Sequence, residues 1–234
     1  MKRVLGYLRR ADKDYNMIQE NDTIAVGVSG GKDSIALLYA LYLYRKFSRT
    51  HFDLCSVTVD LGFDGFDTGC IADLCASLDI RHICIPTKIS KTVIFEQNNP
   101  CSLCSRIRKG VLFAEIIRQG IGKCAFAHHR DDCLETLLMS MLYEGRLRTF
   151  QPVTFLDRKN ITLIRPFVYL AEKEIISAVK RHNLPVVENP CPVSGNTKRQ
   201  ETKQLIAHIC AISPKARDMM LTALKNTAQY SLWN

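Results

Sequence analysis

No apolar run in this 234-residue chain approaches the ~18 consecutive residues that a membrane-crossing helix requires. The longest candidate, "SIALLYALYLY", follows a polar loop and is short enough to be a buried helix. A basic n-region followed by an apolar stretch and a small-residue cleavage site is also missing. These absences argue against membrane insertion and secretion, and the expected location is the cytoplasm. Internal repeats and low-complexity tracts are missing too, which removes repeat arrays and biased tails from consideration. What is present is apolar material, 47% of residues, enough to bury a core, so global disorder is not expected.

Acidic residues are the scarcer charge: 23 Asp and Glu against 32 Lys and Arg leave a net charge of +9 and a pI near 9.1. The cations gather in patches: Lys2, Arg3, Arg9, Arg10 and Lys13; Arg106, Arg108 and Lys109; Arg146 and Arg148; Lys198, Arg199 and Lys203. Nucleic-acid binding and solvated helix faces account for such patches equally well. Cysteine, by contrast, is plentiful, with ten, although a reducing compartment disfavours a disulfide framework. Cys55, Cys84 and Cys124 in strand-like runs, and Cys70, Cys75, Cys133 and Cys210 on helix-like segments, read as small core residues. Cys101, Cys104 and Cys191 resist that reading. "NPCSLCSRIRKG", Asn99 to Gly110, has a spacing that suits a metal, a redox dithiol or a disulfide, and does not choose among them.

"DTIAVGVSG" reads as a buried strand, followed by "KDSIALLYALYLYRKF" with apolar residues at helical spacing. "HFDLCSVTVD", "IRHICIPT", "GKCAFAHH" and "ITLIRPF" read as four further strands, the last with its proline at the end where a missing donor matters least. Between them "GCIADLCASLD", "CSRIRKGVLFAEIIRQG" and "DDCLETLLMSMLYEG" read as helices, the last two stopped by Gly120 and Gly145. The alternation predicts an α/β fold, a parallel five-stranded sheet with helices on both faces. A basic helical segment, residues 1–20, is expected to precede the α/β domain at 21–170. Residues 171–234 would form a helical region around the irregular connector "PVVENPCPVSGNTKR". Ligands of such sheets bind beyond the carboxyl ends of the strands, where Ser29 to Ser34, Asp60 and His128 to Asp132 fall.

The first of these loops, "VSGGKDS", fails the Walker A spacing and the GxGxxG fingerprint. Its adjacent glycines still let backbone amides approach an anion at a helix N-terminus, with Lys32 as a mobile charge. "SGGKDS" resembles the pyrophosphate-binding loop of the PP-loop (N-type) ATP pyrophosphatases, a Rossmann-like family that splits ATP between its α and β phosphates. The resemblance implies that Ser29, Gly30, Gly31, Asp33 and Ser34 hold the pyrophosphate end, with Lys32 at the phosphates. Thr58 to Asp60 would pass near adenine and ribose. "HHRDD", from His128 to Asp132, would lie across the cleft, its carboxylates holding Mg2+ or positioning the substrate. A plainer account of Asp131 and Asp132 is that they complement a helix dipole.

The cysteines choose within that family. With "CSLCSRIRKG", "HHRDD", "IRPF" and Pro190-Cys191, the chain resembles the tRNA 2-thiocytidine synthetase (TtcA) family over most of its length. It lacks the paired CxxC modules that flank the catalytic domain in uridine-thiolating relatives. The resemblance implies a [4Fe-4S] cluster held by Cys101, Cys104 and Cys191 with one iron left open, and a dimer. Soft thiolates suit such a cluster. The rivals are zinc, with His182 or His208 as fourth ligand, and a dithiol of Cys101 and Cys104 alone. Arg108, four residues after Cys104, would stand beside the reacting centre, or be a solvated helix arginine. After Cys191 the chain reads "PVSGN", where many members have a further cysteine.

The expected activity is ATP-dependent 2-thiolation of a tRNA pyrimidine, cytidine 32 of the anticodon loop in the family resembled. Asp60, Arg108 and Asp132 are the candidate catalytic residues, and a cysteine desulfurase or another sulfide source is the expected partner. The alternatives are another pyrimidine, a small molecule, or a nucleotide-sensing cluster or zinc protein that binds RNA without chemistry. The basic N-terminal helix would grip phosphates without choosing bases.

Overall fold

Burial on both faces decides which segments become strands. In Asp22–Gly27 (β1) Ile24, Ala25 and Val26 are fully buried, and in Phe52–Asp60 (β2) every residue from Leu54 to Val59 is buried. Parallel strands covered above and below have this character. The computed structural model describes residues 1–93, 100–187, 190–191 and 198–226. In it, β1 and β2 join Arg81–Pro86 (β3), Lys123–Ala125 (β4), Val153–Leu156 (β5) and Ile161–Ile164 (β6) in one sheet of order β3-β2-β1-β4-β6-β5. The helices among the described residues are Lys2–Tyr15 (α1), Lys32–Arg45 (α2), Gly69–Ser77 (α3), Ile89–Val93 (α4), Pro100–Arg118 (α5), Arg130–Glu144 (α6), Glu172–Arg181 (α7), Lys198–Ile212 (α8) and Ala216–Lys225 (α9). None is long and apolar enough to cross a membrane.

The expected α/β sheet is there, with one strand more than five. Five strands pair in parallel, and β5 is the addition, an edge strand antiparallel to β6. Its four residues are too few to show a period, and a 3-10 turn at Asp157–Lys159, ending at Asn160 with φ 50°, folds the pair into a hairpin. β2 lies on one side of β1 and β4 on the other, so the winding reverses between β1 and β4. The crevice at the carboxyl ends beside that reversal is where sheets of this kind take ligands.

Contacts divide the chain into two compact units, residues 1–129 with 152–194, and residues 130–151 with 195–234. The first holds the sheet. Its α1 is a basic helix, with Val4, Leu8 and Ala11 buried along one stripe and Lys2, Arg3, Arg9, Arg10 and Lys13 exposed. Asp12 anchors it, accepting from the Ile18 N–H at 2.9 Å and the Tyr44 hydroxyl at 2.8 Å. Lys123, buried on β4, pairs with Asp22 and donates to the Met17 carbonyl at 2.9 Å. The second unit is built from α6, α8 and α9 around Leu134, Leu138 and Ile206.

No disulfide joins any of the ten cysteines, all of which lie among the described residues. Cys55, Cys75, Cys124 and Cys133 are buried as expected, and Cys70 and Cys210 are half-buried. Cys84 is exposed instead of core, because β3 is an edge strand.

Candidate active site

The turn after β1 depends on glycine. Gly30 has φ 83°, and a Cβ there would stand 3.0 Å from Cβ of Val187, whose N–H donates to the Gly30 carbonyl at 3.0 Å. Conformation and space both exclude a side chain. The two serines lock the turn: the Ser29 N–H donates to Ser34 Oγ at 3.1 Å, Ser34 Oγ donates to the Gly31 carbonyl at 2.9 Å, and the hydroxyls lie 3.2 Å apart. Helix α2 then starts at Lys32 with no side-chain cap, leaving its first amides for an anion.

Lys32 Nζ lies 2.9 Å from Asp33 Oδ2 and 3.1 Å from Glu172 Oε1, at the start of α7. Burial works against its charge, but the two carboxylates outweigh burial and its pKa ends above the usual lysine value. The other oxygen of Asp33, Oδ1, is buried with no hydrogen bond among the described residues, and Nε2 of the buried His129 lies 3.9 Å away. A carboxylate oxygen in that state suits a cation beside phosphates.

At the end of β2, Thr58 is fully buried and its hydroxyl has no hydrogen-bond partner among the described residues. Asp60 Oδ1 accepts from the Gly62 N–H at 2.8 Å, and the Asp60 carbonyl accepts from the Thr87 hydroxyl at 2.6 Å. Gly62, at φ 74°, is so close to the Thr87 carbonyl that a Cβ would come within 2.4 Å of it. The carboxylate of Asp60 thus shapes a turn beside the site. A cavity of ≈ 260 Å³ opens there, with Ser29 and Gly31 at one side and Val59, Leu61, Phe63, Phe66 and Val187 as apolar walls. Arg108 and Pro190 complete the lining. Its size lies just under the roughly 300–1,000 Å³ of typical small-molecule sites.

Helix α5 begins at Pro100, four residues before the expected start, since proline suits a first helical position. Cys101 and Cys104 therefore share its first turns, with Arg108 one turn further on. The Cys104 thiol is pushed up in pKa, first by burial, with Arg108 pulling it down and Cys191 and Cys101 pushing it up. So Cys104 feels both other thiols and the guanidinium. Among the described residues no three His, Cys, Asp or Glu side chains converge tightly enough to hold a metal ion. The thiols are electrostatic neighbours, and as three soft donors outside any disulfide they fit an iron–sulfur cluster chemically. Lys109 is an exposed residue whose ammonium is still partly desolvated; that desolvation first, then Arg165 and Arg108, lowers its pKa.

His128 follows β4, its ring edge-on to Phe126 with centroids 5.8 Å apart. Asp131 and Asp132 start α6, in the second unit, and face arginines there: Arg217 Nε lies 3.1 Å from Asp131 Oδ1, and Arg199 Nη1 3.3 Å from Asp132 Oδ1. Arg199 also reaches Glu135 Oε2 at 3.0 Å.

Of the residues singled out from sequence, Ser29, Gly31 and Arg108 share one cavity, and Pro190, next to Cys191, joins them. Glu172, Val187, Phe63 and Phe66 were not foreseen. Glu172 sat in an ordinary acidic first helical turn, and the others are apolar residues in loops with no period to flag them. In the connector around Cys191, Glu188, Asn189 and residues 192–197, including "PVSGN", lie outside the described residues.

Comparison with known proteins places this geometry in context. A PP-loop domain family matches residues 7–209. The tRNA-cytidine(32) 2-sulfurtransferase of Geobacter metallireducens is 35% identical over 231 residues, spanning 96% of this chain and 90% of that protein. The protein of the same name from Coxiella burnetii is 34% identical over 245 residues, spanning 100% of this chain and 94% of the relative. Among solved structures, the U34-tRNA thiolase NcsA of Methanococcus maripaludis, determined with its [4Fe-4S] cluster, superposes with a TM-score of 0.77 at 22% identity, over 97% of this chain and 79% of that one. That likeness shows the shared fold.

Proposed function

The chain belongs to the PP-loop family, among the tRNA-cytidine(32) 2-sulfurtransferases, and we propose that it uses ATP to replace the C2 oxygen of a tRNA cytidine, position 32, with sulfur. The observation that carries this is the shared cavity: the phosphate turn, Arg108 of the cysteine-bearing helix and the residue before Cys191 line one space.

The chemistry falls into two displacements. The C2 carbonyl oxygen attacks the α-phosphorus of ATP and pyrophosphate leaves; sulfide then attacks C2 and AMP departs with the oxygen. For the first, the Ser29–Ser34 turn and the open amides of α2 hold the pyrophosphate, and Lys32 neutralises it. Asp33, with its unbonded Oδ1, is the carboxylate best placed to meet Mg2+. Val59, Leu61, Phe63 and Phe66 exclude water from the adenylated base. Arg108 stabilises the charge that develops at C2 or on the α-phosphate. Cys101, Cys104 and Cys191 would hold the [4Fe-4S] cluster, which when bound supplies an iron without a protein ligand that can carry sulfide. Sulfide comes from a cysteine desulfurase or another source, in the cytoplasm, where thiols stay reduced.

Nucleoside mass spectrometry of tRNA from a strain lacking the gene tests the reading. Loss of 2-thiocytidine, restored by the intact gene, is expected. Loss of a different thionucleoside instead would move the target; 2-thiocytidine persisting with no nucleoside lost would end the thiolase reading.

A further inference from the structure

Helix α5 presents two different faces. Cys101, Cys104 and Arg108 lie on one stripe, and Arg108 lines the cavity described above. Ser102, Ser105, Arg106, Lys109 and Phe113 recur at helical spacing on the neighbouring stripe and line a separate groove of ≈ 580 Å³. Phe113 is buried at its base. The groove is open at Gly110, where a Cβ would meet nothing within 4 Å. Its far wall is Lys159, delivered by the 3-10 turn of the β5–β6 hairpin, with Nζ 5.8 Å above the Phe113 ring.

The charge of this groove is uncompensated. Arg106, Lys109 and Lys159 are exposed, and among the described residues no carboxylate pairs with any of them. Arg118, also on α5, is by contrast paired with Glu115 at 2.6 Å. Three unpaired cations and two hydroxyls along one concave face form a donor set suited to successive phosphates of a nucleic-acid backbone. The volume exceeds what a single free phosphate fills. The groove and the Arg108 side are separated by no more than the helix itself, roughly 10–12 Å across with its side chains.

We propose that this groove grips the phosphodiester backbone of the substrate RNA beside the base that enters the Arg108 cavity, a role that rests on the thiolation reading above. Backbone contact here supplies affinity and register, not base choice. The basic α1 is then not the only cationic surface available to the RNA.

Arg106→Gln, Lys109→Gln and Lys159→Gln, singly and together, test it in the full-length protein by tRNA binding across a salt series, with ATP affinity measured in parallel. The triple variant is expected to lose roughly tenfold or more in tRNA affinity. Its slope of log affinity against log salt should shrink by about two, three contacts at ~0.7 each for a single-stranded loop. ATP affinity should hold. Wild-type tRNA affinity and slope in the triple variant would overturn the groove, as would lost affinity with an unchanged slope. So would weakened binding of inorganic phosphate with RNA binding intact, which would make this a free-anion site. A wild-type protein that binds no tRNA at any salt would remove the thiolation reading itself; a wild type that binds, with variants indistinguishable from it, removes the groove alone.

Discussion

Nζ of Lys32 stands 3.1 Å from Oε1 of Glu172, so the lysine of the phosphate turn already has a carboxylate from another helix on it. With Asp33 Oδ2 at 2.9 Å, it is neutralised twice before any nucleotide arrives. On the proposed reading, the triphosphate competes for that charge. The pair is partly exposed, so it is worth about 0.5–1 kcal/mol. Glu172→Gln keeps the shape and removes the competitor; ATP affinity measured calorimetrically is expected to rise by roughly two- to fivefold. A fall in affinity would show instead that Glu172 aims the lysine.

The cysteines divide by environment. Replacing Cys101, Cys104 or Cys191 singly with serine is expected to abolish iron content, visible absorbance and thiolation while ATP affinity survives, because none of the three is needed to hold the phosphate turn. Cys84→Ser, on the exposed edge strand β3, should leave all four unchanged. Iron and sulfide analysis of anaerobically purified protein is the measurement. Stoichiometric zinc with no iron would replace the cluster with a zinc site.

How far the sequence alone reaches can be judged at particular residues. The phosphate turn was legible because its demands are local: "SGGKDS" needs glycine for its backbone turn and two serines to lock it, and the structure uses Gly30, Ser29 and Ser34 in those ways. The parallel strands were legible because burial on both faces leaves an apolar run. β5 was not, since a four-residue edge strand is defined by its partner β6, not by its own pattern. Lys159 was invisible for the same reason, as the hairpin brings it to α5. Asp131 and Asp132 show the opposite case. Their motif was plain, but the arginines that pair with them, Arg217 and Arg199, come from helices more than 60 residues later, a relation no local spacing carries.

Glu135 is expected to make stability depend on pH. It is almost fully buried on α6, and burial, then Asp132, push its pKa up more than Arg199 pulls it down. A carboxyl raised in the folded state binds protons more readily folded than unfolded. Its contribution is therefore complete below the unfolded pKa and is lost as pH rises through the folded one. Wild type should gain stability relative to Glu135→Gln as pH is lowered from 7 toward ~4.5, near the ordinary glutamate value. Urea melts of both proteins across that range check the sign. A difference that shrinks on acidification would mean that the Arg199 pair, not burial, governs Glu135.

Arg108 stands where two proposed roles can be separated. It lines the cavity with Ser29 and Gly31, and its charge also favours the thiolate of Cys104 one turn earlier. If it acts on developing charge in the reaction, Arg108→Ala should lower kcat for thiolation by about 10²–10³-fold, the usual cost of a lost transition-state donor. ATP affinity and iron content should be unchanged. Arg108→Lys should recover part of the rate, since it restores a charge without the planar fork of donors. If Arg108 instead serves the thiolates, iron content falls in step with activity and lysine restores both together. Measuring kcat, ATP affinity and iron on the same preparations separates the two, because only the first outcome leaves a fully loaded protein that is slow.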